Sequence, residues 1–521
     1  MKQKPLSIIA WISFYIFLAT LLASNSFGYL DPDFGWHLRV GESIAQTHTV
    51  PHDQIYMWSL AGKTWVDHEW LSNYITYELM NHGGYLTVTA FFVLIPLLSL
   101  LILNYYVFKQ YLRSALEQTV FAIFELGALF ACLPHFGIRQ QEITFLFLTL
   151  LLIIIDSFRR EKNIKYILFL PPLLYLWASM HGSYLIGIGI TLGWFMYELI
   201  LFLWPWFKKQ IYENSISKKQ LVIATGIIII STALTFLTPY GIKLYSFLSD
   251  YATNTYYMSH IQEWRSPFTT PFRYDQIIYS LLVVVFFFGA ISSTKKSLKL
   301  WQEVLLFLFL VLAMRSVRHF PLWTIGSLMF AVPFFIAPAL ATRKTLFPRS
   351  ATVLFILLLL AMSLTCLYAT HFTNDPFNQY CSSYPCGAIT FLKNHSEYQK
   401  LKIFNNYGWG GYIIGVWPQQ RLFIDGRLPQ YPFNNKTILE EYNTFFNKDL
   451  IPEKLKQYGI QMILFKPSPD IYKPDFIERY ILGRKEQTYK NDLIDYLNTH
   501  SNEWKAVYQD SVSKIWVKQQ Q

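Results

Sequence analysis

The stretch Leu86–Phe108, LTVTAFFVLIPLLSLLILNYYVF, holds no charged residue. At 1.5 Å per residue it is long enough, as a helix, to cross the ~30 Å of hydrocarbon in a bilayer. Working outward, similar blocks recur near Leu6–Ser24, Thr119–Leu133, Ile143–Ile155, Tyr166–Met180, Tyr184–Trp206, Leu221–Leu237, Gln276–Ile291, Val304–Met314, Phe320–Ala341 and Ala351–Ala369. These make about eleven spans, with the third, fourth and ninth short. Composition agrees: 53% of the 521 residues are hydrophobic and only 15% charged, against about 25% in soluble domains. The pattern excludes a disordered chain and an ordinary soluble enzyme. The first block follows Met1-Lys2-Gln3-Lys4 like a signal peptide, but no small-residue cleavage site precedes a soluble domain, so it reads as an anchor.

Charge orients the spans. The loops Met1–Pro5, Lys109–Gln118, Asp156–Lys165, Phe207–Gln220, Ser292–Glu303 and Thr342–Ser350 hold about 18 Lys and Arg, against about 8 in roughly twice the length on the other side. This bias predicts a multi-pass protein of the cell (inner) membrane, with a cytoplasmic N-terminus and an extracytoplasmic loop over residues 25–85. An odd span count puts the tail outside too. The net charge of +11 is then largely a topology signal spread over short loops, which argues against nucleic acid as a partner.

The chain divides into a transmembrane domain over residues 1–369 and a tail over residues 370–521. The tail reads as a small extracytoplasmic α/β domain. Strand-like runs fall at Lys402–Phe404, Gly411–Val416, Arg421–Ile424, Gln461–Phe465 and Lys514–Val517. Helix-like runs fall at Gly387–Asn394, Thr437–Phe446 and Lys490–Thr499. Cys132 and Cys366 sit in or near spans. Cys381 and Cys386 lie outside, where a disulfide is allowed and is one of two open readings.

Polar residues of the catalytic kind gather at the outside ends of the spans, whereas the inside loops carry mostly Lys and Arg of the topology kind. In Asp31-Pro32-Asp33-Phe34-Gly35-Trp36-His37-Leu38, Asp31 suits a helix N-cap and Pro32 the first helical position. Asp33 and His37 then stand at i and i+4 on one face, as an acid–base pair or a surface ion pair. In Trp65-Val66-Asp67-His68-Glu69-Trp70-Leu71, Asp67 suits a cap, with His68 and Glu69 in the first turn. The tryptophans beside them also suit interface anchors. Arg139, His181, Glu263, Arg265, Arg318 and His319 add to the theme. Singly each reads as a satisfied or snorkelling span end; together they predict an outward-facing polar chamber. Arg binds phosphate bidentately, and outside the cell the simplest phosphate-bearing substrate is a lipid.

Four motifs, Asp31–Leu38, Trp65–Leu71, Trp409-Gly410-Gly411-Tyr412 and Phe423-Ile424-Asp425-Gly426-Arg427, resemble those of the GT-C superfamily of polytopic glycosyltransferases, and within it a bacterial branch sharing this combination over nearly the whole chain. The branch commonly has an aromatic residue where this chain has Gly35, which either loosens packing or opens space beside Asp33. The resemblance implies a GT-C-like helical membrane domain and a glycosyltransferase. Such an enzyme moves a sugar from a polyprenyl-phosphate donor to a glycan, lipid or protein acceptor on the extracytoplasmic face, with inversion. It implies a catalytic carboxylate in the first loop, carried to Asp33 with Asp31 second, and assisting roles for His37 and Glu69. Asp67, His68, Arg139, His181, Glu263, Arg265, Arg318, His319, Asp425 and Arg427 become substrate-binding candidates. Some members use Mg²⁺ or Mn²⁺ and others no metal; the hard-ligand candidates are Asp31, Asp33 and Glu69. Asp425-Gly426-Arg427 also reads as a tight turn holding an Asp–Arg pair. Rival functions are a lipid-linked glycan polymerase or ligase, a transporter or flippase, and an envelope scaffold. A transporter calls for internal repeats, and none is visible.

Overall fold

The computed structural model describes residues 5–210, 213, 215–269, 271–294, 298–340 and 349–519. Parts of the expected inside loops at 1–5, 207–220, 292–303 and 342–350 lie outside them. The chain forms a helical multi-pass membrane protein with a C-terminal sheet domain. Two compact units are present: the described residues within 5–28, 87–244 and 261–372 form the first, and those within 29–86, 245–260 and 373–519 the second.

Among the described residues nine helices are long and apolar enough to cross a membrane; eight lie in the first unit, and Trp70–Gln110 runs into it from the second. All eleven expected segments are helical, but the lengths differ from expectation. The third and fourth run to full length, Ala115–His135 and Gln140–Glu161. Polar single turns at Leu133–His135 and Gln140–Glu142 extend them past the apolar run. The short ones are Ile167–Met180 and Leu300–Arg315. Val317–Leu340 is 83% buried and Ser350–Ala369 only 17%, so the former is central and the latter peripheral. The central helix widens to a π-turn at Ser327–Ala331, where the Ser327 hydroxyl lies 2.8 Å from Tyr279 OH.

Polar groups are not confined to one end of these helices, which corrects the one-sided reading. Gln140–Glu161 carries Glu142 at its start and Arg159 and Arg160 at its end, ~25 Å apart along the axis. Arg159 Nε lies 2.7 Å from Glu198 Oε1 as an ion pair, and Nη2 donates to Glu213 Oε2 at 3.0 Å. Arg160 Nε donates to Asp156 Oδ2 at 2.7 Å. Two arginines that read as topology signals are therefore held in ion pairs: the buried Arg159 side chain by carboxylates of two other segments, as a desolvated charge requires, and the exposed Arg160 by Asp156 on its own helix.

In the second unit the sheet has β1 (Ile403–Asn405), β2 (Met462–Phe465), β3 (Trp504–Gln509) and β4 (Lys514–Lys518), in the order β1-β2-β4-β3. β1 and β2 are parallel; the other pairs are antiparallel. β3 escaped the sequence reading because a bulge between Ala506 and Tyr508 breaks its alternation. Helices Cys386–Asn394, Ile438–Thr444 and Asp492–Thr499 stand where expected. Cys381 and Cys386 form a disulfide.

Two expected strands are something else. Gly410–Val416 is a helix, here α2, and Phe34–Thr47 is α1. The β-branched run of α2 favours a strand locally, but tertiary packing overrides it. A Cβ on Gly35 would overlap the Gly411 carbonyl oxygen and lie 2.9 Å from Gly415 Cα; one on Gly411 would overlap the Pro32 carbonyl oxygen. Glycines one helical turn apart thus let α1 and α2 touch backbone to backbone. Gly35 neither loosens packing nor opens space: it closes this crossing. The run Arg421–Ile424 makes one parallel bridge, Leu422 to Met57, with Leu422 N donating to Tyr56 O at 2.8 Å and Trp58 N to Leu422 O at 2.9 Å. The segment 29–86 and the tail therefore fold together.

Candidate functional site

The second unit brings the acidic–histidine motifs together. α1 buries Phe34, His37, Gly41 and Ile44, an i, i+3, i+7, i+10 stripe. It starts one residue after Asp33, so Pro32 lies in the turn before the helix and is not its first residue. The Asp31 carboxylate accepts from Asp33 N at 2.9 Å, and caps this turn instead of the helix itself. Asp33 occupies the cap position without a side-chain cap bond. Its carbonyl accepts from His37 N at 3.1 Å, so the i, i+4 relation holds along the backbone. The side chains, however, take different partners. Asp33 Oδ1 accepts the Trp36 indole N–H at 2.8 Å, and a Cβ on Gly426 would overlap this same oxygen. Asp33 is half-buried.

His37 turns to the helix that begins at Trp70. A Cβ on Gly41 would overlap the Asn73 carbonyl oxygen, so Gly41 allows a close crossing. One turn back, His37 Nδ1 meets Asn73 Oδ1 at 2.6 Å. Asn73 Nδ2 donates to Asp67 Oδ2 at 2.8 Å, and Asp67 Oδ1 accepts from Glu69 N at 3.0 Å. Because a carboxylate can only accept, Asn73 must give Asp67 its NH₂ and offer His37 its carbonyl. Neutral His37 then carries its proton on Nδ1. Glu69 sits between two imidazoles, 3.9 Å from His37 Nδ1 and 3.7 Å from His68 Nε2. Burial pulls the His37 imidazole down to about 4, against the Asn73 bond and the Asp31 charge. Burial pushes the Asp67 carboxyl up to about 6, against its bonds from Asn73 and the Glu69 amide. At neutral pH the line is therefore neutral His37, Asn73, ionised Asp67. Asn73 is missing from the sequence reading. Its only signal is the i+4 spacing from Glu69, which puts both on one helix face.

Asp425 and Arg427 form a two-pronged pair: Nη2 to Oδ2 at 2.7 Å and Nε to Oδ1 at 3.0 Å. Both side chains are fully buried. The guanidinium lies 4.8 Å from the ring centres of Tyr56 and of Trp65, and Nη2 donates to Gln54 Oε1 at 3.2 Å. This pair fixes the turn that sets Gly426 against Asp33. Among the described residues, no group of three or more His, Cys, Asp or Glu side chains is arranged to hold a metal ion. Asp31, Asp33 and Glu69 thus do not assemble into the site considered for Mg²⁺ or Mn²⁺.

The first unit holds the remaining candidates. Glu263 takes one arginine on each oxygen, Arg139 Nη1 at 2.7 Å and Arg318 Nη1 at 2.6 Å. Burial raises the Glu263 carboxyl, but the two guanidinium charges overcome this and hold it down at about 2. The cluster carries one net positive charge. Arg318 also stacks 5.1 Å from the Trp264 ring, and the His319 ring lies 5.5 Å from it. Arg265 is exposed, and its carbonyl accepts from Val317 N. His181 is buried, and its Nδ1 meets Ser183 Oγ at 2.6 Å and Thr144 Oγ1 at 3.1 Å, holding the turn between two helices. These candidates belong to the first unit, and those of the acidic–histidine and Asp-Gly-Arg motifs to the second.

No protein-family model matches the chain, and no curated protein matches it. Among solved structures, the apo oligosaccharyltransferase of Archaeoglobus fulgidus aligns with a TM-score of 0.49 at 9% identity, over 89% of this chain and 70% of that one. The enzyme tethered to an acceptor peptide containing an NVT sequon gives 0.48 at 11% identity, over 88% and 69%. At scores this low the likeness says nothing of function.

Proposed function

We propose that the protein is a membrane glycosyltransferase that moves a sugar from a polyprenyl-phosphate donor to an envelope acceptor on the extracytoplasmic face, with the second unit outside and the N-terminus cytoplasmic. One observation carries this reading: motifs almost four hundred residues apart converge on the Asp33 carboxylate. Trp36 orients it by a hydrogen bond, and Gly426, set by the buried Asp425–Arg427 pair, lies directly against it. A carboxylate so placed, half-open to solvent at a helix start, suits a general base. Asp33 takes the proton of the acceptor hydroxyl as that oxygen attacks the anomeric carbon. The bond to the lipid phosphate breaks on the opposite face, which inverts the centre. His37, Asn73, Asp67 and Glu69 hold the loop around Asp33. Within the transmembrane unit, Arg139 and Arg318 are a cationic pair of a kind that suits phosphate, with donors enough to share between Glu263 and an anion.

The test is transfer from radiolabelled polyprenyl-phosphate sugars in membranes, with wild type and Asp33→Asn at equal expression. The expected result is transfer in wild type and a loss of roughly 10²–10⁴-fold in the variant. Equal transfer in both refutes Asp33 as the base. No transfer by wild type across a broad donor panel refutes the enzyme reading and favours a transporter of lipid-linked glycans.

A further inference from the structure

Residues 471–489 form a small projection on the second unit. Ile471–Tyr472 pairs antiparallel with Gln487–Thr488, and the helix Phe476–Tyr480 lies between. It is tied by bonds such as Tyr489 N to Asp470 O at 2.8 Å and Arg484 N to Glu478 O at 2.8 Å. Yet it turns its large apolar side chains outward. Phe476 is 72% exposed, Ile481 71% and Tyr480 70%, with Ile471, Leu482 and Tyr489 also exposed. The Phe476 and Tyr480 rings pack at 4.9 Å, so the patch is contiguous there. Scattered apolar residues on a surface need no explanation, but such a cluster marks a surface that is covered in use.

The charges say by what. Lys473, Arg479 and Lys485 are exposed among the apolar residues. Of the acids nearby, Glu478 is buried, and Asp470, Asp475 and Glu486 are exposed; Asp470 is balanced by Lys466 at 2.5 Å, and Asp475 accepts from Glu478 N at 2.8 Å, so within residues 471–489 the exposed cations Lys473, Arg479 and Lys485 outnumber the exposed acids Asp475 and Glu486. Aromatic and aliphatic side chains interleaved with cations suit the headgroup zone of an anionic bilayer. Such a surface is also always at hand. The chain passes between the two units five times, at 28/29, 86/87, 244/245, 260/261 and 372/373. The second unit is thus tethered to candidate membrane helices at high effective concentration.

We propose that residues 471–489 are a membrane-surface anchor: the apolar residues enter the headgroup region, and Lys473, Arg479 and Lys485 pair with lipid phosphates. The anchor is independent of the reaction assigned above. To test it, full-length protein with Cys366→Ser is reconstituted in nanodiscs and carries a bimane label at Phe476→Cys, Ile481→Cys or, as an exposed polar control, Lys400→Cys. Quenching by doxyl-labelled lipid at 476 and 481 should exceed the control by at least about threefold, and quenching by aqueous iodide should fall below it. Adding phosphatidylglycerol to phosphatidylcholine discs should strengthen the lipid quenching, and the triple change Lys473→Glu, Arg479→Glu, Lys485→Glu should abolish that gain. Iodide quenching equal to the control shows a water-facing patch and overturns the proposal. Protection from both quenchers shows a protein cover and also overturns it. Lipid quenching that ignores phosphatidylglycerol overturns the phosphate pairing.

Discussion

His37 and Asp67 are buried at the two ends of one asparagine, and their titrations oppose each other. The buried imidazole titrates at about 4 against an ordinary 6.5. The unfolded chain therefore binds the extra proton in that window. Stability from neutral His37 is complete above pH 6.5 and is lost as pH falls toward 4. The Asp67 carboxyl titrates at about 6 against an ordinary 3.8. Here the folded chain binds the extra proton, so the contribution is complete below pH 3.8 and is lost as pH rises through 6. At about 1.4 kcal/mol per pKa unit, each separation is worth ~3 kcal/mol, and over pH 6.5 to 4 the two nearly cancel. In wild type, local stability around α1 should therefore stay level across this window. Asp67→Asn keeps the shape and, with its oxygen toward Asn73, that bond; it loses the bond from Glu69 N, a cost that does not vary with pH, and removes one titration. The variant should lose ~3 kcal/mol between pH 7 and 4, a rise of roughly 100-fold in the local opening constant. Hydrogen–deuterium exchange over residues 34–47, corrected for the intrinsic rate at each pH, reads this directly. A variant as level as wild type, or a wild type that itself drops by ~3 kcal/mol, would refute the paired titration.

Three further outcomes follow from the packing. Asn73→Leu removes the partner of both His37 Nδ1 and Asp67 Oδ2 and should cost ~3 kcal/mol of stability; thermal unfolding within 1 °C of wild type would show that the asparagine is dispensable. Gly35→Ala drives a methyl into the Gly411 carbonyl and should cost ~1–3 kcal/mol, read by proteolysis of the second unit; unchanged protection would mean α1 and α2 do not touch as described. Arg427→Lys replaces the two-pronged pair with a point charge and should cost ~3 kcal/mol, read from urea midpoints. An unaltered midpoint there would leave the buried pair without a structural role.

The sequence by itself determined the membrane class, because a span of twenty apolar residues is a local property set by bilayer thickness. It also determined most of the tail's elements, as in Cys386–Asn394 and Met462–Phe465, and it marked the acidic–histidine loops. Tertiary structure decided what no local pattern encodes. Gly410–Val416 is a helix because glycines 35, 411 and 415 meet across about 380 residues of chain, and that contact outweighs the strand preference of its side chains. Arg159 belongs to a buried ion-pair cluster because Glu198 and Glu213 come from other segments. Asn73 became the centre of the His37–Asp67 line through the helix crossing at Gly41. Asp33 gained its setting from Gly426, at the far end of the chain. The physical reason is common to all four: periodicity and span length are written between neighbours, whereas close approach and charge pairing are written between residues that only folding brings together.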